Sequence, residues 1–471
     1  MGSLFIHPTR QEIRALVNTS FFGDMLQSIA ERGRALIDRT RDRREVAEQR
    51  SANLVQLCED LLTGRGEASG VALAREILSG YGELTTGPRV AFFEALASRF
   101  GPDRTRLSAA ATAWLSSPSD AAASKVHHAS EPRRLELFRR LNLAPGGTAS
   151  LVRMREQLID AMDHRDDLAV IDNDFLHLFS SWFNRGFLVL RKIDWSTPAS
   201  LLEKIIRYEA VHAIRDWNDL RARIDSRDRR CYAFFHPALV DEPLIFVEVA
   251  LTRGLPAAIE PILSEKREPV EIDRATTAVF YSISNCQRGL AGVSFGHFLI
   301  KQVVEEVRRE MPRLATFVTL SPAPNFAEWL KRERATEASV ALSDEDREAF
   351  AVLDRADWWR DEETTEAVQE PLLRAAAWYY LRARTPRGTP RDSVARFHLG
   401  NGARLERLNF IGDTSERALR QSHGLMVNYL YDLDHIEKNH EAYAQQRAVV
   451  AASAVTRLVK APTRDVVPVG D

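Results

Sequence analysis

Thr277–Leu330, TAVFYSISNCQRGLAGVSFGHFLIKQVVEEVRREMPRLATFVTLSPAPNFAEWL, reads in order as strand, glycine-bearing loop, amphipathic helix, strand, serine turn and helix. The β-branched and aromatic residues of 277–283 predict a strand. Phe298, Leu299, Val303, Val304 and Val307 then recur at helical spacing, and Met311-Pro312 closes that helix before a strand predicted over 315–320. Gly289, Gly292 and Gly296 let the backbone approach a ligand closely. The helix start that follows offers unpaired N–H groups and a positive dipole end to an anion. A phosphorylated or pyrophosphate-bearing substrate beside a reactive serine is the chemistry this order favours.

Working outward, more strands appear among helices. Cys231, Tyr232, Phe234 and Phe235, then Leu244 to Leu251, flank the turn residues Val240-Asp241-Glu242-Pro243 and predict an antiparallel hairpin. Ahead of them, Thr197-Pro198 opens a predicted helix through Ile206. Residues 331–389 are charged and helical in pattern, an insertion in the sheet. Residues 397–410 return to strand, with Asn401-Gly402 as the turn of a hairpin because both tolerate positive φ, and a last helix runs through about Val455. Before residues 183–195 the chain differs. Apolar residues fall at three-to-four spacing over 44–62, 69–81, 87–99, 133–141 and 151–162, with breakers such as Thr63-Gly64-Arg65-Gly66 between them. The arginine-rich and alanine-rich stretches 39–44 and 107–115 read as helix surface. The fold class is therefore α+β, an all-helical part followed by a mixed sheet with a helical insertion.

Composition narrows the function. Lys and Arg number 64 against 66 Asp and Glu, a formal charge of -2, which argues against a strongly electrostatic nucleic-acid or membrane binder. Cys58, Cys231 and Cys286 are few and far apart, so neither a disulfide framework nor a CxxC metal site is indicated and a reducing compartment fits. No apolar run is long enough to span a bilayer, and neither terminus reads as a targeting address, so a cytoplasmic protein is expected. Asp432, Asp434, His435 and His440 match no common ligand spacing, and neither they nor His127-His128 predict a metal site.

Gly292-Val293-Ser294-Phe295-Gly296 satisfies GxSxG between a strand and a helix. A nucleophile elbow places its serine directly after the strand, whereas here about ten residues follow Ile283 first, enough for a loop that lies along a ligand. The segments SISNCQRGLAGVSFGHFLIK, TLSPAPNFAEWL, FHLGNGARLERLNF and SHGLMVNYLYDL, with RCYAFFHPALVDEPLIFVEVALT and the tryptophan-bearing 209–219, closely resemble malonyl-CoA decarboxylases over roughly 180–458. The resemblance implies a helical oligomerisation domain over residues 1–185, and a catalytic domain of GNAT-like fold over 186–471 with its insertion at about 331–389. It also implies a homodimer or homotetramer, a place in malonate and fatty acid metabolism, and malonyl-CoA and acetyl-CoA as partners.

Within that resemblance, Ala291, Gly292, Val293, Ser294, Phe295, Gly296 and His297 are the coenzyme A contact, although only Gly296 fits the superfamily's pyrophosphate-loop register well. The serine of TLSPAP and the histidine of FHLGNG, Ser321 and His398, are implied as catalytic, with Asn428 and Tyr431 near the thioester end of the pocket. Loss of carbon dioxide leaves charge on a thioester enolate, which needs positioned donors and a proton but no metal or redox cofactor. An unperturbed histidine, with a pKa of about 6.5, could supply that proton near neutral pH. An acyltransferase of the same fold and a non-catalytic coenzyme A sensor are the alternative readings.

Overall fold

The computed structural model describes residues 50–63, 66–163, 165–293 and 299–459. The chain forms two compact units. One comprises Met1–Phe187 with Pro237–Val240 and Gln287–Ser294, and the other the remaining sequence.

The first unit is helical among its described residues: α1 Arg50–Leu62, α2 Glu67–Gly82, α3 Thr86–Arg99, α4 Arg104–Ser116, α5 Asp120–Ser130, α6 Arg133–Asn142, α7 Gly147–Ala161 and α8 Ala169–Trp182. Its core is aromatic. Phe138 and Phe175 stack with centroids 4.3 Å apart, and Phe92, Phe93 and Phe179 are fully buried. By contrast α4 buries none of its residues, which agrees with its reading as helix surface. The stretch 287–293 also belongs to this unit. A Cβ on Gly289 would overlap the Val152 carbonyl oxygen of α7, so glycine is what allows the close approach. The buried Arg155 of α7 donates to Gly289 O at 2.8 Å and Ala291 O at 2.7 Å while pairing with Asp172 of α8 at 2.8 Å.

The second unit is built on an eight-stranded mixed sheet: β1 Val189–Ile193, β2 Arg229–Phe235, β3 Pro243–Thr252, β4 Thr277–Asn285, β5 Thr316–Thr319, β6 Ser321–Pro322, β7 Arg404–Asn409 and β8 Met426–Leu430. β1 to β4 are antiparallel neighbours, β4 and β5 are parallel, and β8 receives β5, β6 and β7. Helices α9 Ala199–Tyr208 and α10 Trp217–Ile224 cover one part of the sheet through Leu201, Leu202, Ile205 and Leu220. The short α11 Glu260–Leu263 packs Ile262 near Val279 and Val318. Helix α12 Leu299–Glu310 follows the loop with Leu299, Ile300, Val303, Val304 and Val307 buried. The insertion is helical as expected, in α13 Phe326–Ala335, α14 Asp344–Ala349 and α15 Glu362–Leu381. The α+β reading of the sequence holds.

The parallel pairing of β4 and β5 ends at Phe280 opposite Thr319. Beyond it β4 continues to Asn285, while the segment after β5 turns away at Leu320 to pair with β8 through Ser321. The two strands therefore part at the serine.

Three sequence expectations are corrected. Residues 397–400 are not strand: α16 Ser393–Gly400 carries His398, and Asn401-Gly402 ends that helix instead of turning a hairpin. Asp392 caps its start by accepting from Ala395 N at 2.8 Å, and Gly402, at φ 81°, closes its end through Gly402 N to Leu399 O. The last helix is two pieces, α18 Ile436–Gln446 and α19 Ser453–Thr456, after α17 Glu416–Ser422 and the central strand β8. The helix after Pro198 begins at Ala199, with Pro198 itself as the extended cap residue.

Candidate active site

The gap between β4 and β6 is a cavity of about 280 Å³. Phe280, Ile283, Pro322, Val394 and Phe397 give it apolar walls, and Ser321 and His398 supply polar groups. Ser321 arrives on the short β6 and His398 on the sixth residue of α16, so residues 77 positions apart meet. Ser321 Oγ lies 3.1 Å from His398 Nε2, with both side chains buried.

Tyr431, just past β8, completes the contact with its hydroxyl 2.8 Å from His398 Nδ1. Burial raises the Tyr431 phenol well above its ordinary value, so it is un-ionised at rest, and because Ser321 Oγ spends its proton on Thr319 Oγ1 the ring faces the serine with Nε2–H and accepts from Tyr431 at Nδ1. The imidazole proton then sits on Nε2, facing Ser321. Ser321 Oγ in turn donates to Thr319 Oγ1 at 2.9 Å, which leaves its oxygen to accept from Nε2–H. The Tyr429 ring lies under the imidazole, centroids 4.5 Å apart.

Burial pushes His398 down to about 3, because no anion faces the ring to offset desolvation. The expectation of an ordinary histidine near 6.5 is thus corrected: this ring is a neutral N–H donor at neutral pH.

Asn428 is buried and saturated. Its oxygen accepts from Arg407 Nε at 3.1 Å and Asn409 Nδ2 at 2.9 Å, and its nitrogen donates to Thr319 O at 2.8 Å and Pro256 O at 3.3 Å. It braces the strands and has no atom left for a ligand, which corrects its assignment to substrate. Of the glycine loop, Ala291 and Gly292 are exposed, Val293 is buried and Gly292 has φ 80°. Ser294, Phe295, Gly296 and His297 lie outside the described residues. His435 Nδ1 is held by Asp432 Oδ2 at 2.9 Å just ahead of α18, and His440 Nδ1, inside α18, faces Gly400 O at the end of α16 at 2.7 Å.

Sequence reasoning missed Thr319, Tyr429 and Arg155. The first two were findable, since Thr319 lies two before Ser321 and Tyr429 two before Tyr431, the spacing that puts strand residues on one face.

A family model described as malonyl-CoA decarboxylase C-terminal domain matches residues 186–468, and the corresponding N-terminal domain matches 100–183. The chain belongs to the malonyl-CoA decarboxylase family. The mitochondrial malonyl-CoA decarboxylase of Anser anser anser is 35% identical over 439 residues, 88% of this chain and 84% of that one. The crystal structure of malonyl-CoA decarboxylase from Rhodopseudomonas palustris is 58% identical with a TM-score of 0.84, covering 86% of this chain and 99% of that chain. The one from Agrobacterium vitis is 56% identical at a TM-score of 0.83, covering 87% and 100%. Malonyl-CoA decarboxylases therefore share this chain's fold over most of its length.

Proposed function

We propose that this chain converts malonyl-CoA to acetyl-CoA and carbon dioxide, with His398 as proton source and Ser321 as the group that anchors the substrate and relays the proton. The observation that carries the reading is the 3.1 Å contact between Ser321 and His398 at the wall of the cavity, with the Tyr431 phenol behind the ring. In the reaction the bond between C2 and the carboxylate breaks, its electron pair enters the thioester as an enolate, and carbon dioxide leaves. The carboxylate must stand across the carbonyl plane for that overlap, and apolar walls weaken its hydration. Hydrogen-bond donors aimed at the thioester oxygen stabilise the enolate as it forms.

The enolate then takes a proton at C2. A carbanion is a far stronger base than an alkoxide, so a neutral hydroxyl suffices. Ser321 gives its proton, Nε2–H of His398 replaces it, the Tyr431 proton passes to Nδ1, and solvent restores the chain. The thioester itself is the electron sink, so the reading needs no cofactor beyond the coenzyme A of the substrate.

The same reading gives residues 291–297 the coenzyme A contact, supported by the exposed, positive-φ Gly292. It extends to a homodimer or homotetramer formed through the helical unit, where Trp114 and Leu115 of α4 are exposed. It extends also to a cytoplasmic enzyme of malonate and fatty acid metabolism. Cys58, Cys231 and Cys286 are free and buried, which fits a reducing compartment, and among the described residues no helix is long and apolar enough to cross a membrane.

The test is direct. Purified protein given malonyl-CoA alone should release acetyl-CoA and carbon dioxide, and Ser321→Ala and His398→Asn should each lower kcat by about 10²–10⁴-fold with coenzyme A affinity unchanged. Either variant turning over at the normal rate would remove that residue from the mechanism.

A further inference from the structure

The register across β5, β6 and β8 is continuous, with Val318 opposite Leu430 and Ser321 opposite Val427. Between those pairs, side chains make the bonds that a backbone ladder would make. Tyr429 N donates to Thr319 Oγ1 at 3.3 Å, and Thr319 O accepts from Asn428 Nδ2 at 2.8 Å. The sheet is thus opened by side chains at the residue two before the serine. Thr319 is fully buried, and its hydroxyl oxygen accepts from the Ser321 hydroxyl at 2.9 Å.

Direction in the chain of hydrogen bonds decides the chemistry. In a hydrolytic serine–histidine pair the serine donates to the imidazole, which removes its proton and makes it a nucleophile. Here the Ser321 proton goes to Thr319, which sets the ring to face the serine with Nε2–H and to accept from Tyr431 at Nδ1, so the three bonds run the same way. Without an acceptor at Thr319, the Ser321 proton is free to turn toward Nε2, and the ring loses its reason to hold a proton there.

We propose that Thr319 is a positioning residue for the decarboxylation: in the resting site its Oγ1 holds the Ser321 proton away from Nε2 and so fixes His398 as donor to Ser321, and when the enolate forms that proton leaves Thr319 for the stronger base at C2, which keeps the pair a proton source instead of a nucleophile and base. The proposal rests on the reading of Ser321 and His398 as the catalytic pair. Thr319 does not line the cavity and acts through Ser321, so its effect falls on the chemical step and not on substrate binding.

Steady-state decarboxylation of malonyl-CoA by Thr319→Val, Thr319→Ser and Ser321→Ala beside the unmodified protein tests it. Valine keeps the shape and removes the acceptor, while serine keeps the acceptor and removes the methyl group. Loss of one positioning hydrogen bond should lower kcat in Thr319→Val at least about tenfold with KM unchanged, and Thr319→Ser should keep near-normal kcat. Full activity in Thr319→Val overturns the proposal. So does an equal loss in both threonine variants, which would assign the effect to packing of the methyl group. An active Ser321→Ala sinks the underlying reading instead, whereas an inactive Ser321→Ala beside a fully active Thr319→Val sinks the positioning role alone.

Discussion

An imidazole that folding holds neutral is protonated in the unfolded chain at mildly acid pH, so His398 couples stability to acid. Its native value is lowered by burial to about 3, against an ordinary value of 6.5. The stability that this ring permits is fully present above 6.5 and is lost as pH falls from there toward 3. The slope is about 1.4 kcal/mol per pH unit from this group. Between pH 7 and pH 5, urea unfolding should therefore show the wild-type protein losing about 2 kcal/mol more than His398→Asn. His212 and His423 are also lowered by burial, to about 4, but they remain in both proteins and cancel in the difference. Equal losses in the two proteins would mean that the ring is not held neutral by the fold.

At the level of elements, α16 matters most, because it presents His398 near its C-terminal end, one turn from Gly402. Gly402 sits at φ 81°, and a Cβ there would overlap the carbonyl oxygen of Ile436 at the start of α18. Gly402→Ala should cost about 1–3 kcal/mol in chemical denaturation and lower kcat as the helix end shifts. A variant as stable and active as the parent would show that the end of α16 is not fixed by that approach. The same residue explains a misreading. Asn-Gly marks positive φ in a type I′ turn and at a helix end alike, and the local signal does not choose between them. What chose was Asp392, a cap whose aspartate reads in sequence as any loop acid. β8 escaped notice for another reason: residues 426–429 are buried on both faces, so the alternation that betrays a half-exposed strand is missing. β1 escaped as an edge strand with Arg191 and Lys192, the charges that such an edge carries. Ser321, His398 and Tyr431 were legible because they stand in motifs, whereas Thr319 works only through bonds across strands that distant segments must first form.

For the whole molecule, the chain is interleaved, since the first unit is completed by Pro237–Val240 and Gln287–Ser294 from the second half of the sequence. Arg155 ties the later stretch down with two carbonyl contacts and an ion pair. Arg155→Met leaves Asp172 without that partner and two carbonyls unmatched, so it should lower stability by about 3 kcal/mol. Hydrogen exchange should also speed up over residues 288–293, which separates a local anchor from a general loss of packing. Unchanged protection there would remove Arg155 from that role. The boundary near residue 187 is thus a boundary in sequence more than in folding, and a cut placed there would leave the helical unit without the strips that finish it.

The one-way chain from Tyr431 through His398 to Ser321 begins at a phenol that is 1% exposed. In the proposed relay, a proton spent on product is not replaced by direct contact of that phenol with solvent. The cavity against which Ser321 and His398 lie is the side that remains among the described residues, so recharging the pair and releasing product would draw on the same space.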